Sequence, residues 1–324
     1  MFDVTALGEL LIDFTPEGKN SQDMELFARN PGGAPANVLA MNARLGGRTA
    51  FIGKVGRDEF GHFLRKTLRN NNVDTTGLVM DPNVGTTLAF VHLDDHGDRS
   101  FSFYRRPGAD MMLRSEELDK TIISTGCIFH FGSVSLTHDP CRTTVHTAVR
   151  LAKRKGNLIS YDPNYRPFLW QSVEEAKREM LRVLGYADIV KVSEEEMRLL
   201  TGETNLEKGA LSLVEQGPFI VFITLGASGT FYLCADGCGT LPAYEVDTVD
   251  TTGAGDAFLG AVHYRLRGKN VSQIQVMTNA ELADVVDFAN AAASLTTGKK
   301  GAIPAMPSLD EVEHCRKTVP TLFQ

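Results

Sequence analysis

The sequence is short of several things that would by themselves fix a function. Only five of its 324 residues are cysteine, at positions 127, 141, 234, 238 and 315. They form no C-x-x-C and no even set, so reduced thiols are expected rather than a zinc site or a disulfide framework. A basic surplus is also missing. Thirty-three Lys and Arg stand against 40 Asp and Glu, a net charge of −7, which excludes a general binder of nucleic-acid phosphates. The most apolar run, residues 219–225, falls far below the ~18–20 residues of a membrane span. The opening MFDVTALGELLIDF carries Asp3 and Glu9 where an export signal would carry Lys or Arg, so a cytoplasmic protein is expected. No repeat, low-complexity tract or charge block divides the chain, and a single unit over residues 1–324 is expected. Two nucleotide fingerprints are absent as well. Gly53-Lys54 is followed by Val55, not the Ser or Thr of a P-loop. Gly253, Gly255 and Gly260 lack the G-x-G-x-x-G spacing and come late in the chain, against a dinucleotide fold. His130, His138 and His146 share no metal-binding spacing on one helix face.

What is present is an alternation. Short β-rich runs at 4–8, 49–53, 127–132, 158–162, 189–192, 219–225 and 230–234 read as strands. Between and after them, 36–45, 58–70, 142–155, 173–184, 194–200, 206–216, 255–267 and 282–297 read as helices. Continuous apolar strands separated by helices predict an α/β fold, with a mostly parallel sheet covered on both faces. Two segments break the rhythm, 14–30 and 86–106. The second reads as a hairpin turning at 94–98, and together they are expected to form a small β lid.

The strongest chemical signal is Asp250-Thr-Thr-Gly253-Ala254-Gly255-Asp256. A Gly-Ala-Gly turn opening a helix leaves backbone N–H groups bare in front of the positive end of the dipole, which makes an anion site. Asp256 reads equally as a complement to that dipole or as a base that takes a proton from an attacking hydroxyl. A second signal is Asn30-Pro-Gly32-Gly33-Ala-Pro-Ala-Asn37, where paired glycines let a small ligand approach the main chain. Asn37 either caps its helix or bonds a ligand hydroxyl, and Asp13, just past the first strand, offers an acceptor suited to sugar hydroxyls.

Taken in order, GELLIDF, GGAPAN, FYRRPGADMML, DPNYRPFLW, KVSEEE and DTTGAGDAF resemble the ribokinase-like (pfkB) carbohydrate kinases, and the fructokinases within them, over nearly the whole chain. The resemblance implies a ribokinase-like, doubly wound domain with a lid that closes over the sugar and often pairs with a second subunit's lid, giving a homodimer. It implies ATP-dependent phosphorylation of D-fructose to fructose 6-phosphate. Asp256 matches the base, and Gly253, Ala254 and Gly255 the anion hole. Asp13, Gly32, Gly33, Asn37, Tyr104, Arg105, Asn164 and Arg166 are expected around the sugar. Lys191, Ser193, Thr224, Gly226, Gly229 and Asn290 fall where the family holds ATP. Glu196 matches the acid that organises Mg²⁺ through water, although Ser193 stands where the family usually has Asn. Asp250 and Thr252, with a loop near Lys300-Gly301-Ala302, match a monovalent-cation site expected to take K⁺. The partners implied are a small sugar and MgATP, with neither nucleic acid nor membrane. A 2-keto-3-deoxygluconate kinase is the nearest rival, with Arg166 and Arg105 holding the substrate carboxylate. A non-catalytic sugar sensor on the same fold would be expected to have lost the base or the anion hole.

Overall fold

The computed structural model describes residues 1–93 and 99–322. The strands are β1 (Phe2–Leu7), β2 (Leu11–Lys19), β3 (Glu25–Gly32), β4 (Thr49–Gly56), β5 (Val73–Asp74), β6 (Leu78–Asp81) and β7 (Leu88–Leu93). They continue as β8 (Arg99–Tyr104), β9 (Gly126–Gly132), β10 (Leu158–Asp162), β11 (Ile189–Ser193), β12 (Ile220–Thr224), β13 (Thr230–Cys234) and β14 (Gly237–Leu241). The helices are α1 (Ala34–Arg44), α2 (Glu59–Asn70), α3 (Lys120–Thr125), α4 (Cys141–Arg154), α5 (Val173–Leu184) and α6 (Glu194–Thr201). After them come α7 (Leu206–Val214), α8 (Ala254–Leu266), α9 (Val271–Gln275), α10 (Asn279–Thr297) and α11 (Leu309–Thr318).

The main sheet runs β14-β13-β12-β11-β10-β9-β1-β4-β5, with β6 also beside β4. From β12 to β4 every pairing is parallel, whereas the β12–β13 and β13–β14 pairings are antiparallel, so β13 is reversed against its neighbours. Such strands are buried on both faces, and β4 and β10 have every residue buried, the continuous apolar pattern read from the sequence. One core packs α1, α8 and α10 on one face, through Met41, Phe258 and Phe288 among others. A second core packs α4, α5 and α7 on the other, around Phe129, Tyr161 and Met180. The doubly wound expectation therefore holds. Strand order departs from β1 in both directions, toward β4 and toward β9, and ligands of open α/β sheets bind beyond the strand ends at such a switch.

The two rhythm-breaking segments form a separate four-stranded sheet, β3-β2-β7-β8. It is longer at its root than the sequence suggests, since β2 begins at Leu11 and β3 reaches Gly32. The turn expected at 94–98 lies outside the described residues. All five cysteines are free thiols. Among the described residues no helix is long and apolar enough to cross a membrane.

Candidate active site

α8 is built to present its N-terminus. Its N-cap, Gly253, sits at φ 78° with no side-chain cap on the first turn, so the leading amides have no competing side-chain acceptor. A Cβ on Gly253 would lie 2.5 Å from the Ala302 Cβ, so glycine is required by backbone and by space. Asp256 falls in this first turn and is buried.

A close approach of α1 and α8 decides what Asp256 meets. A Cβ at Gly260 would come 2.6 Å from the Val38 carbonyl, and Asn42 Nδ2 donates to the Gly260 carbonyl at 3.2 Å. Drawn in this way, α1 places Asn37 so that its Nδ2 donates to Asp256 Oδ2 at 2.8 Å. The other amide atom of Asn37, Oδ1, is buried without a partner, an acceptor left open to a ligand. Burial raises the Asp256 carboxyl to about 6, while the Asn37 bond, Lys191 and Arg166 pull it back down. A carboxylate poised there is ionised at neutral pH and basic enough to accept a proton.

Asp13 lies on β2 directly over Gly32, where an added Cβ would be 2.1 Å from Asp13 Oδ2. Burial lifts it too, to about 6, against the charge of Arg166. Arg166 is exposed, donates to the Tyr165 carbonyl at 3.1 Å, and acts on both carboxyls. Asn164 turns this loop at φ 45°, which Asn tolerates better than most residues, and its N–H donates to Asp162 Oδ1 at 3.1 Å. Glu9, just after β1, holds the same region from behind: Oε1 accepts from Ala34 N at 3.0 Å.

The Lys191 ammonium reaches the anion site. Its Nζ would lie 3.0 Å from a Cβ on Gly255 and is ion-paired with buried Asp162 at 2.7 Å. Burial disfavours this charge, but Asp162 and Glu196 outweigh it and hold Lys191 above the ordinary lysine value. The site thus sets a fixed cation, a helix N-terminus without a side-chain cap and a buried carboxylate side by side.

Several expected residues stand elsewhere. Alternation along the small sheet puts Asp13, Ala89 and Phe103 on one rung and face, and Ile12, Leu88 and Tyr104 on the other. Tyr104 therefore points away from Asp13, is 67% exposed and packs edge-on to Phe90 at 5.6 Å. Arg105 is buried, its guanidinium engaged by Asp110, Thr137 and the Val134 carbonyl, so the expected pair of substrate-facing arginines is not formed. Asn290 spends its amide on structure: Oδ1 accepts from Thr230 at 2.8 Å, and Nδ2 donates to the Leu241 and Pro242 carbonyls. Ser193 and Glu196 form a capping box on α6, and Glu196 also accepts from Tyr165 N at 2.6 Å. Thr224 ends β12, and Gly226 and Gly229 shape the next turn with φ of 59° and 89°. Asp250 gathers two loops, accepting from Thr252 N and Oγ1 through Oδ1 and from Gly301 N through Oδ2.

Sequence reasoning missed Asp162, Glu9 and the Phe103–Phe168 stack, with centroids 5.1 Å apart, which joins the small sheet to the loop carrying Arg166. The DPNYR motif contained the signal for Asp162; nothing in the sequence announced the stack.

The family model for pfkB carbohydrate kinases matches residues 1–309. Fructokinase-1 of Zea mays is 46% identical over 312 residues, covering 95% of this chain and 96% of its own. The ATP-bound fructokinase of Xylella fastidiosa superposes with a TM-score of 0.91 at 32% identity, over 98% of this chain and 99% of that one. A Vibrio cholerae fructokinase double mutant with fructose, ADP and potassium bound gives 0.85 at 34% identity, over 96% and 97%. Fold, motif order and relatives agree, and the chain belongs to the pfkB family of carbohydrate kinases.

Proposed function

We propose that the protein transfers the γ-phosphoryl group of ATP to the 6-hydroxyl of D-fructose, giving fructose 6-phosphate and ADP. The observation that carries this reading is the buried Asp256 carboxylate, held by Asn37 at 2.8 Å at the mouth of an uncapped helix. Asp13 and the open Oδ1 of Asn37 accept sugar hydroxyls. The attacking hydroxyl gives its proton to Asp256 as its oxygen bonds to the γ-phosphorus, and the bond to the β-bridging oxygen breaks. The amides of Gly253–Gly255 and the Lys191 ammonium meet the charge on the transferring group. Preorganised donors of this kind are each worth roughly 10²–10³ in rate. The small sheet, carrying Asp13 and Phe103, acts as a lid that keeps water from competing for the phosphoryl group.

Among the described residues no three His, Cys, Asp or Glu side chains converge as a metal cage, which suits Mg²⁺ carried by phosphates and water. Glu196 keeps lone pairs beyond those its backbone partners use and would hold such a water, the ion neutralising phosphate charge. Asp250, Thr252 and the loop 299–302 fit a monovalent cation that would steady the turn before the anion hole, as the potassium-bound relative suggests. Aromatic residues of the small sheet, with Phe27 36% and Tyr104 67% exposed, suit a second copy's lid, so a homodimer belongs to this reading. Reduced cysteines suit the cytoplasm.

The rival substrate, 2-keto-3-deoxygluconate, needs cations for its carboxylate; with Arg105 buried elsewhere, Arg166 stands alone for that task. A coupled ADP-release screen over fructose, 2-keto-3-deoxygluconate, ribose, mannose and glucose tests the assignment. Fructose should lead the keto-deoxy acid by at least about tenfold in kcat/KM, or 1.4 kcal/mol. The opposite ratio would move the substrate and leave the kinase standing.

A further inference from the structure

The segment after β8 holds a buried cluster that the phosphoryl chemistry does not use. Asp110 Oδ1 accepts from the Thr87 hydroxyl at 2.5 Å, and Oδ2 from Arg105 Nε at 2.8 Å. Thr87 directly precedes β7 and Arg105 directly follows β8, so one carboxylate ties the two ends of the hairpin together. Arg105 then donates to Thr137 Oγ1 at 3.0 Å and to the Val134 carbonyl at 3.2 Å, which anchors the pair to the loop after β9. On its other side, the Thr87 carbonyl accepts from Ile12 N at 3.1 Å, the residue before Asp13. Thr87, Arg105 and Asp110 are 1%, 7% and 3% exposed. Packing is tight enough that a Cβ on Gly108 would lie 1.8 Å from Thr87 Oγ1.

A buried ion pair is a poor source of stability compared with apolar packing, because both ions must leave water. Its geometry is the more specific product. Here that geometry runs from the body, through Arg105, Asp110 and Thr87, to the rung of the small sheet that carries Asp13.

We propose that Asp110 is a positioning residue for the sugar: by holding Thr87 and Arg105 against each other it fixes the root of the small sheet and so the placement of Asp13 over Gly32. The inference rests on the sugar-kinase reading of the site. Loss of the Thr87–Asp110 bond lets the rung shift, which weakens sugar binding and lets water reach the phosphoryl group, while the nucleotide side is untouched.

The test compares Thr87→Val, which removes only the hydroxyl, with Thr87→Ser, which keeps it, and with Asp110→Asn. Each is measured with the sugar the wild type turns over best. Thr87→Val should raise the sugar KM about tenfold, change the MgATP KM less than twofold, and raise ADP release without sugar at least threefold. Thr87→Ser should return all three toward wild type. Asp110→Asn should shift the same constants further; if it does not fold, Thr87→Val decides alone. A role confined to stability would lower Tm and leave both KM values in place, and that result, in an active wild-type background, overturns the inference. A wild type that phosphorylates no sugar in the panel overturns the kinase reading, and this inference with it.

Discussion

Removing the Asn37 side chain should move the pH at which the enzyme switches on. Asn37 Nδ2 donates to Asp256 Oδ2 at 2.8 Å inside a buried site. Hydrogen bonds to charged groups contribute about 1.5–3 kcal/mol. One pKa unit corresponds to about 1.4 kcal/mol, so the bond is worth roughly one to two units. It favours the ionised carboxylate, and its loss therefore raises the Asp256 pKa from about 6 toward roughly 7–8. The base must be ionised to work, so the acid limb of kcat/KM for the sugar should move up by that amount in Asn37→Ala. Turnover would be depressed most below pH 7 and would partly recover by about pH 9, the recovery being the signature of titration and not of misplacement. Asp13 also titrates near 6, so the profile is repeated in an Asp13→Asn background to assign the limb to Asp256. The assay is coupled ADP release at saturating MgATP from pH 5 to 9.5. A uniform fall in activity with the acid limb unmoved would refute the electrostatic role given to Asn37.

Three further outcomes follow from the same geometry. Burial raises the Glu9 carboxyl from 4.5 to about 7; the folded protein therefore loses stability as pH rises through that window, by about 3 kcal/mol when complete. Glu9→Gln keeps an acceptor for Ala34 N without the charge, so its Tm should exceed wild type at pH 8 and match it at pH 4.5; an equal difference at both would sink the assignment. Asp13→Ala should raise the fructose KM by roughly 10- to 100-fold, the worth of a charge-assisted bond, with the ATP KM little changed, and calorimetry showing intact fructose affinity would remove Asp13 from the site. K⁺ should activate turnover and Na⁺ substitute poorly, since Asp250 ties the turn before the anion hole to Gly301; identical rates in K⁺-free buffer of matched ionic strength would contradict that.

Much of this fold is legible because its signals are local. The GAG turn opening α8 must lie where a helix starts after an αL residue, and Gly253 at φ 78° does so. The apolar runs that became β9 to β12 are buried on both faces, so they announce strands without needing any partner. Pairings across the chain are not local. Asn37 and Asp256 lie 219 residues apart, and only the close approach permitted by Gly260 brings them together; each alone reads as well for a cap or a dipole complement. Arg105 shows the same limit in the other direction. The resemblance placed it against the substrate, yet Asp110, five residues on, takes its charge. Tyr104, expected around the sugar, shows how register decides: one residue's difference along β8 turns a side chain to the opposite face. Ser193-x-x-Glu196 carries a capping-box signature, and the structure forms that box while leaving Glu196 lone pairs for a water.

The central claim is that Asp256 takes the proton from the sugar hydroxyl, and Asp256→Asn tests it most directly. The amide keeps an acceptor oxygen beside Asn37 and the shape of the first turn of α8, but it is no longer a base. Calorimetry should give fructose and MgATP affinities within a few-fold of wild type, while turnover should fall by roughly 10²–10⁴, the usual contribution of a general base. Turnover near the wild-type rate in a variant that binds both substrates would contradict the account.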